Sequence, residues 1–450
     1  MKKYIFILWI FIAPGLVKAQ DQSSFTLEQA IDYALQNNIQ IKKSVNQISI
    51  AKKKVWETTA MGLPQISGNV SYQKFIEQPV NLLPARIFNP QAPPDQYVPV
   101  KFGTEQSMKW GLQWNQLIFN GSYIVGLYSS RVYKKISELA HEKTAQKIRE
   151  AVTQAYTNVL LINQSLDIVH QNIKVLERNL FEIKQMYENG LVELTDVQQL
   201  EITLQDLKNQ LKYLVSNQEN AYEMLNYIMG RKPEAPIVLT DDFESLAEKS
   251  ADLNLLKTNL NEEKNIDLKI AGNQTRAKKL QMRYEQSQML PSIVGFVTYG
   301  KNAYNNDFKF FEDSQNWYEQ SILGINISIP LFGGLARQKK IGQAKLEYEN
   351  AKLDYEDAQR KLKLELTKLQ NEYELAIDKM NTARKNLELA ESIEKKEQIK
   401  YNEGMGSSFS LYQSRMQLYA KQQAYLQAVA KVIMLKIKLE NILGLNNKNI

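Results

Sequence analysis

The chain has 450 residues, 44% of them hydrophobic, with no cysteine and a formal net charge of +7. Without cysteine there are no disulfides, no cysteine-ligated metals and no lipid attached to an N-terminal cysteine. Acidic and basic residues are interleaved along the chain and form no basic stripe, so we expect no nucleic-acid partner.

Residues 1–19 have the pattern of a secretory signal peptide. Lys2 and Lys3 precede an apolar core at 4–17, and small residues precede a cleavage point at Gln20. The core is shorter than the roughly 20 residues of a spanning helix, which is the alternative interpretation. Removing the three lysines of this segment lowers the formal charge from +7 to +4 (7 − 3).

Residues 20–230 form the first of two predicted structural repeats. We expect a helix over 26–62, and Leu-Pro then ends it. Strands are predicted at about 65–74 and 108–119, and the proline-rich segment 75–104 between them is predicted to be an exposed loop.

A long coiled-coil hairpin follows these strands. Apolar residues recur over 148–187 at alternating spacings of four and three, which is the a/d pattern of a coiled coil held for about five heptads. The pattern breaks at a predicted hairpin tip, about 187–197, and resumes to residue 228. Helix geometry gives the stretch 121–190 a length of roughly 100 Å.

The same order of elements recurs after a linker at 231–251, in a second repeat at 252–450. The segment 63–72 and the segment 290–299 share Leu, Pro, Ile, Gly, Val and Tyr at identical spacing, which indicates an internal duplication. The second repeat is predicted to contain strands at about 292–300 and 318–331, an exposed loop at 300–316 and a hairpin tip at about 401–411.

Alternating residues give each predicted strand one apolar face and one polar face. The predicted apolar, lipid-facing set is Trp110, Leu112, Trp114, Leu323, Ile325 and Ile327. Both tryptophans fit membrane-interface anchors or plain lipid-facing residues. Four strands in an exported chain suit an outer-membrane barrel but are too few to close one. Several copies must therefore combine, and two copies or three remain possible.

The Leu-Pro strand entries, the Phe-x-Gly strand exits at Phe119 and Phe332 and the turn at 190–197 together resemble the TolC-like outer-membrane efflux protein family. The resemblance extends over about residues 24–444. It implies a mostly α fold with a transmembrane β-barrel, built from long antiparallel coiled-coil hairpins and four β-strands per protomer. It further implies a homotrimer with a twelve-strand barrel, an internal twofold repeat and a periplasmic tunnel.

The resemblance also implies partners and a docking site. A periplasmic adaptor (membrane fusion protein) would dock at the two hairpin tips, above an inner-membrane pump of RND or ABC type. The implied docking and entrance residues are Gly190, Leu191, Val192, Thr195, Asp196, Gly404, Met405 and Ser410. The alternative interpretation of both glycines is a purely structural helix C-cap. Asp196 is expected to be a helix N-cap rather than a catalytic acid. Ser410 and Gln413 stand where some relatives place acidic residues, so the sequence does not support an acidic entrance.

No catalytic motif, cofactor site or metal site is predicted. His141 and His170 are solitary and are expected on solvated helix faces. The expected function is an outer-membrane exit duct of a tripartite efflux or secretion system, without an energy source of its own. The alternatives are a structural coiled-coil spacer of the cell envelope that conducts nothing and a secreted pore-forming toxin. An enzyme is the least supported class.

Overall fold

A computed structural model describes residues 23–445, so the predicted signal peptide lies outside the described residues. The elements, in chain order, are β1 (Ser24–Phe25), α1 (Leu27–Asn37), α2 (Ile39–Ala60), β2 (Gln65–Lys74), β3 (Val80–Pro84), β4 (Tyr97–Lys101), β5 (Gln106–Asn120), α3 (Gly121–Glu188), α4 (Leu194–Met229), β6 (Val238–Leu239), α5 (Phe243–Ser250), α6 (Ile266–Ser287), β7 (Ser292–Asn305), β8 (Trp317–Ser328), α7 (Ala336–Asn402) and α8 (Ser408–Leu443). Across residues 23–445, every helix is too short or too polar to cross a bilayer.

The described residues form two compact units. One comprises 23–42, 144–261 and 364–445, and it contains α1, α4, α5 and α8. The other comprises 43–143 and 262–363, and it contains nearly all of α2, the whole of α6 and the larger sheet. The long helices α3 and α7 contribute residues to both units.

The second unit is organised by a four-stranded sheet in the order β2-β5-β7-β8, with every neighbouring pair antiparallel. β2 and β8 are therefore its edge strands. The β5–β7 ladder shifts register between Leu117 and Phe119, which is the position of a β-bulge.

The predicted loops are mostly exposed, but the prediction that they lack regular structure was wrong for the segments 80–87, 97–101 and 300–305. Within 75–104, β3 pairs with β4 as an antiparallel hairpin, in which Leu82 faces Pro99 and Pro84 faces Tyr97. Two-stranded sheets consist only of edges, so proline is tolerated there although it lacks an N–H. Within 300–316, β7 continues to Asn305.

The predicted helix at 26–62 is two helices. Thr26 caps α1 and forms a capping box with Gln29. Asn38 has extended backbone (φ −59°, ψ 136°) and interrupts the helix, and its Oδ1 accepts a hydrogen bond from the Gln40 N–H at 2.7 Å. Asn265 begins α6 in the same way, because its Oδ1 accepts from the Asp267 N–H at 3.0 Å. An asparagine cap therefore occupies the same place in both repeats.

Many of the predicted heptad positions are buried, and all of the buried ones except Leu362 lie in the first unit. The buried members are Val152, Ala155, Val159, Ile162, Leu166, Val169, Ile173, Leu176, Ile183, Val197, Leu200, Leu204, Leu207, Ala221 and Leu225 in the first repeat and Leu362, Leu366, Leu369, Tyr373, Ala376, Met380 and Ala390 in the second. We call the packed pair α3 and α4 hairpin 1, and the pair α7 and α8 hairpin 2.

Two fully buried tyrosines fasten irregular segments to the long helices. The Tyr156 hydroxyl lies 3.0 Å from both the Phe25 carbonyl oxygen and Asp241 Oδ2. The Tyr373 hydroxyl donates to the Ser250 carbonyl at 2.5 Å and accepts from the Asp252 N–H at 3.0 Å. Tyr373 thereby pairs two backbone groups at the end of α5, whereas the Phe25 carbonyl near Tyr156 also accepts from the Thr240 N–H at 3.1 Å.

Candidate functional site

The strand register places all six residues of the predicted lipid-facing set on one face of the sheet. Trp114 lies opposite Val297, which lies opposite Leu323, and alternation carries the same face along each strand. Ile66 and Val70 of β2 extend this apolar face, since they pair with Trp114 and Trp110. Contact of the face with lipid remains a prediction.

Charge and aromatic side chains meet near one end of this face. Lys301 Nζ lies 2.8 Å from Glu319 Oε1, and the Trp110 and Tyr299 rings meet edge to face at 6.0 Å. Both side chains of the ion pair are partly accessible to solvent, so the pair contributes little to stability in water. Aromatic side chains at such a position are typical of membrane-interface girdles.

The two predicted hairpin tips are turns with the same backbone conformation and the same hydrogen-bond pattern. Gly190 and Gly404 each have φ 74°, in the left-handed region that favours glycine. The Gly190 N–H donates to the Tyr187 carbonyl at 2.9 Å, and the Leu191 N–H donates to the Met186 carbonyl at 2.9 Å. Gly404 and Met405 repeat these bonds at 3.1 and 2.9 Å. Each long helix therefore ends in a Schellman motif.

The start of α4 differs from the predicted one. Glu193, and not Asp196, is the N-cap residue. Asp196 stands at the third helical position, and its Oδ2 accepts from the Glu193 N–H at 3.3 Å, while the Thr195 hydroxyl donates to Glu193 Oε2 at 3.2 Å. At the other tip, Ser407 caps α8 and accepts from the Ser410 N–H at 3.1 Å. These bonds fix both turns locally.

Each turn leaves one large apolar side chain unpacked. Leu191 is 70% exposed and Met405 is 72% exposed, and the two stand at corresponding positions of the repeat. Val192 instead packs against the apolar cluster of hairpin 1, which consists of Val169, Ile173, Leu176, Ile183, Val197, Leu200, Leu204 and Leu207. Exposed aliphatic side chains at the end of a long hairpin are suited to contact with another protein.

Two tyrosines of α8, which were not predicted as functional residues, connect hairpin 2 to hairpin 1. The Tyr412 hydroxyl lies 2.9 Å from Thr203 Oγ1, and Gln210 donates to the Tyr419 hydroxyl. Both rings also pack on the apolar cluster of hairpin 1. Burial raises the pKa of Tyr419 above its ordinary value. Tyr412 and Tyr419 lie one heptad apart, which indicates a shared face of α8 but not the helix that this face contacts.

A further contact between the hairpins lies close to the turns. The Tyr401 hydroxyl is 3.7 Å from Met186 Sδ, and burial raises the pKa of Tyr401, with the nearby Glu182 adding to the effect. Within hairpin 2, Arg415 Nε donates to Glu394 Oε1 at 2.9 Å. These side chains tie the end of α7 to both of its neighbours.

The two histidines do not form a site. His141 is half-buried and its Nδ1 lies 2.7 Å from the Ser44 hydroxyl, contrary to the expected solvated position, whereas His170 is exposed. In the part of the chain that the structure describes, no three His, Asp or Glu side chains gather in a way that could hold a metal.

The chain is similar to known proteins in both sequence and fold. The model of the family described as "Outer membrane efflux protein" matches residues 30–231 and 259–445. The chain is 24% identical over 262 residues to outer membrane protein TolC of Vibrio cholerae, a match that covers 56% of this chain and 57% of that relative. The chain thus spans little more than half the length of this relative.

Solved structures show the same fold. VceC from Vibrio cholerae aligns with a TM-score of 0.70 at 17% identity, over 93% of this chain and 96% of that one. CusC aligns with a TM-score of 0.75 at 16% identity, over 93% and 92% of the two chains. The predicted class of long helical hairpins with four sheet strands is confirmed, although the sheet does not close into a barrel within one chain. The chain belongs to the outer membrane efflux protein family.

Proposed function

We propose that the chain is the outer-membrane exit duct of a tripartite efflux or secretion system and that several copies complete its channel. The observation that carries the proposal is the four-stranded sheet, which has an apolar face and the edge strands β2 and β8. In a bilayer each unpaired backbone group of such an edge costs several kcal/mol. The two edges run in opposite directions, so β2 of one copy can continue the antiparallel order beside β8 of the next.

The number of copies follows from the need for a passage. Two copies would supply eight strands, and a barrel of about eight is filled by its own side chains. Three copies would supply twelve, which leaves room for an aqueous lumen. Family membership places the chain in the outer membrane, and the fold shared with CusC, whose structures are described in terms of transmembrane channel formation, supports a transmembrane channel.

The hairpin tips are the proposed contact with a periplasmic adaptor, beneath which an inner-membrane pump supplies the energy. Leu191 and Met405 are exposed at corresponding turns and would insert into an apolar surface of the adaptor. Opening would occur when adaptor contact moves hairpin 2 away from hairpin 1, which breaks the contacts of Tyr401, Tyr412 and Tyr419.

Planar-bilayer recording of the purified protein tests the duct directly. A channel of this kind passes ionic current, whereas a structural spacer passes none, so absence of current from assembled protein would contradict the proposal. Trapping of the native assembly by cross-linking would give the number of copies, and a dimer would contradict the twelve-strand arrangement.

The docking role is tested by Leu191→Asp combined with Met405→Asp. Both side chains are exposed, so the fold and the bilayer conductance should be retained while export from cells is lost. Leu364→Asp is the matched control, because Leu364 is equally exposed on α7 away from the turns. Normal export by the double variant would refute docking at the tips without affecting the conductance result.

A further inference from the structure

The polar face of the four-stranded sheet is almost uncharged. Lys109 is the one ionic side chain on this face within strands β2, β5, β7 and β8 as described, and it shares a cross-strand row with Ser71, Asn302 and Tyr318. The neutral polar side chains of the face include Gln65, Ser67, Asn69, Gln73, Gln113, Asn115, Thr298, Gln320 and Asn326.

Lys109 is exposed and has neither an ion pair nor a side-chain hydrogen bond among residues 23–445. The remaining charges of the four strands lie on the opposite, apolar face. Lys301 and Glu319 neutralise each other there at 2.8 Å, and Lys74 lies at the end of β2. The polar face therefore has an uncompensated positive charge in every copy.

We propose that Lys109 gives the barrel lumen a preference for anions, so that anionic and neutral solutes pass this section more readily than cations. The inference rests on the proposed function, because only a closed barrel turns the polar face into the wall of a passage. Symmetry then places one Lys109 from each copy at the same height. The amide and hydroxyl groups around them contribute hydrogen bonds but no opposing charge.

The dimensions make this charge effective across the lumen. Twelve strands about 4.8 Å apart and tilted by about 40° form a wall about 12 Å from the axis, and lysine side chains point inwards from it. The Debye length is about 10 Å at 0.1 M salt but about 3 Å at 1 M. At 0.1 M salt the electrostatic potential of three ammonium groups therefore favours anions across the whole lumen. At 1 M salt it favours anions only in the layer next to the wall.

The experiment is the reversal potential of the full-length channel under a KCl gradient in planar bilayers. At about 0.1 M we expect Lys109→Gln to lower the chloride-to-potassium permeability ratio about twofold, and Lys109→Glu to lower it further. Lys74→Gln is the matched control, since it removes the same charge at the same end of the sheet but on the opposite face, and it should leave the ratio unchanged.

The wild-type channel provides a measurement that needs no variant, because its anion preference must fall between 0.1 M and 1 M salt. The inference would be overturned if Lys109→Gln left the chloride-to-potassium permeability ratio unchanged, or if Lys74→Gln changed that ratio equally. Either result would leave the proposed duct intact. A wild-type ratio that does not depend on salt would overturn it as well. Absence of any current would instead overturn the proposed function on which it rests.

Discussion

Removing the Tyr412 and Tyr419 hydroxyls should make the duct open more easily. The double substitution Tyr412→Phe with Tyr419→Phe keeps both rings on the apolar cluster of hairpin 1 and deletes only their polar contacts. Thr203 retains its hydrogen bond to the Gln199 carbonyl at 2.9 Å, and Gln210 is half-buried and can turn to water. The loss of both hydrogen bonds therefore destabilises the closed arrangement of the hairpins by about 1–2 kcal/mol, near the lower end of the usual range for two hydrogen bonds.

A cost of this size corresponds to about a 5- to 30-fold shift of the closed–open equilibrium towards the open state. The measurement is the open fraction of single channels in planar bilayers without adaptor. Tyr213→Phe on α4 is the control, because that side chain is 67% exposed and should have no effect. An unchanged open fraction in assembled double variant would show that these contacts do not hold the entrance closed.

Two further predictions concern stability. Burial raises the pKa of Tyr373 to about 12 from its ordinary value of 10, so unfolding releases a proton above pH 10 and stability falls as pH rises to about 12. By linkage this loss amounts to about 3 kcal/mol, and denaturant titrations at pH 9 to 12 should show a smaller decline for Tyr373→Phe. Equal declines would contradict a buried, neutral hydroxyl. A Cβ added at Gly342 in α7 would contact no atom outside its own stretch of helix, so Gly342→Ala should raise stability by about 0.5–1 kcal/mol. Gly190 has φ 74°, a conformation that strains alanine, so Gly190→Ala should lower stability by about 1 kcal/mol. Thermal unfolding of the two variants measures both changes. If Gly190→Ala changed stability in the same way as Gly342→Ala, the left-handed backbone at Gly190 would be contradicted.

The periodic parts of the fold were predictable because burial follows spacing. A heptad pattern determines which side of a helix is buried, whatever its partner, and the positions from Val152 to Leu225 follow it. Alternation in the strands likewise determined that Trp114 and Leu323 share a face, although their separation along the chain is large. Neither result required knowledge of the tertiary structure.

The errors occurred where a local signal had two physical meanings. Prolines at Pro84 and Pro99 indicated a loop, but they fit equally well in a two-stranded hairpin. Asp196 can cap a helix from the N-cap or from the third position, and only the backbone of Glu193 distinguishes the two. The tyrosine contacts between the hairpins depend on how the hairpins face each other, which no spacing within one hairpin encodes.

The distribution of these contacts identifies the part of the first unit best suited to move. Within hairpin 1 the helices share a buried aliphatic seam, and each fully buried Leu, Ile or Val contributes about 1.5–3 kcal/mol. Between the hairpins near the tips, the contacts include side-chain hydrogen bonds of about 1 kcal/mol each. A partner that binds the exposed turns would break the weaker set first. Hairpin 2 would then separate from hairpin 1 as an intact pair of helices, and the entrance would widen without unfolding either pair.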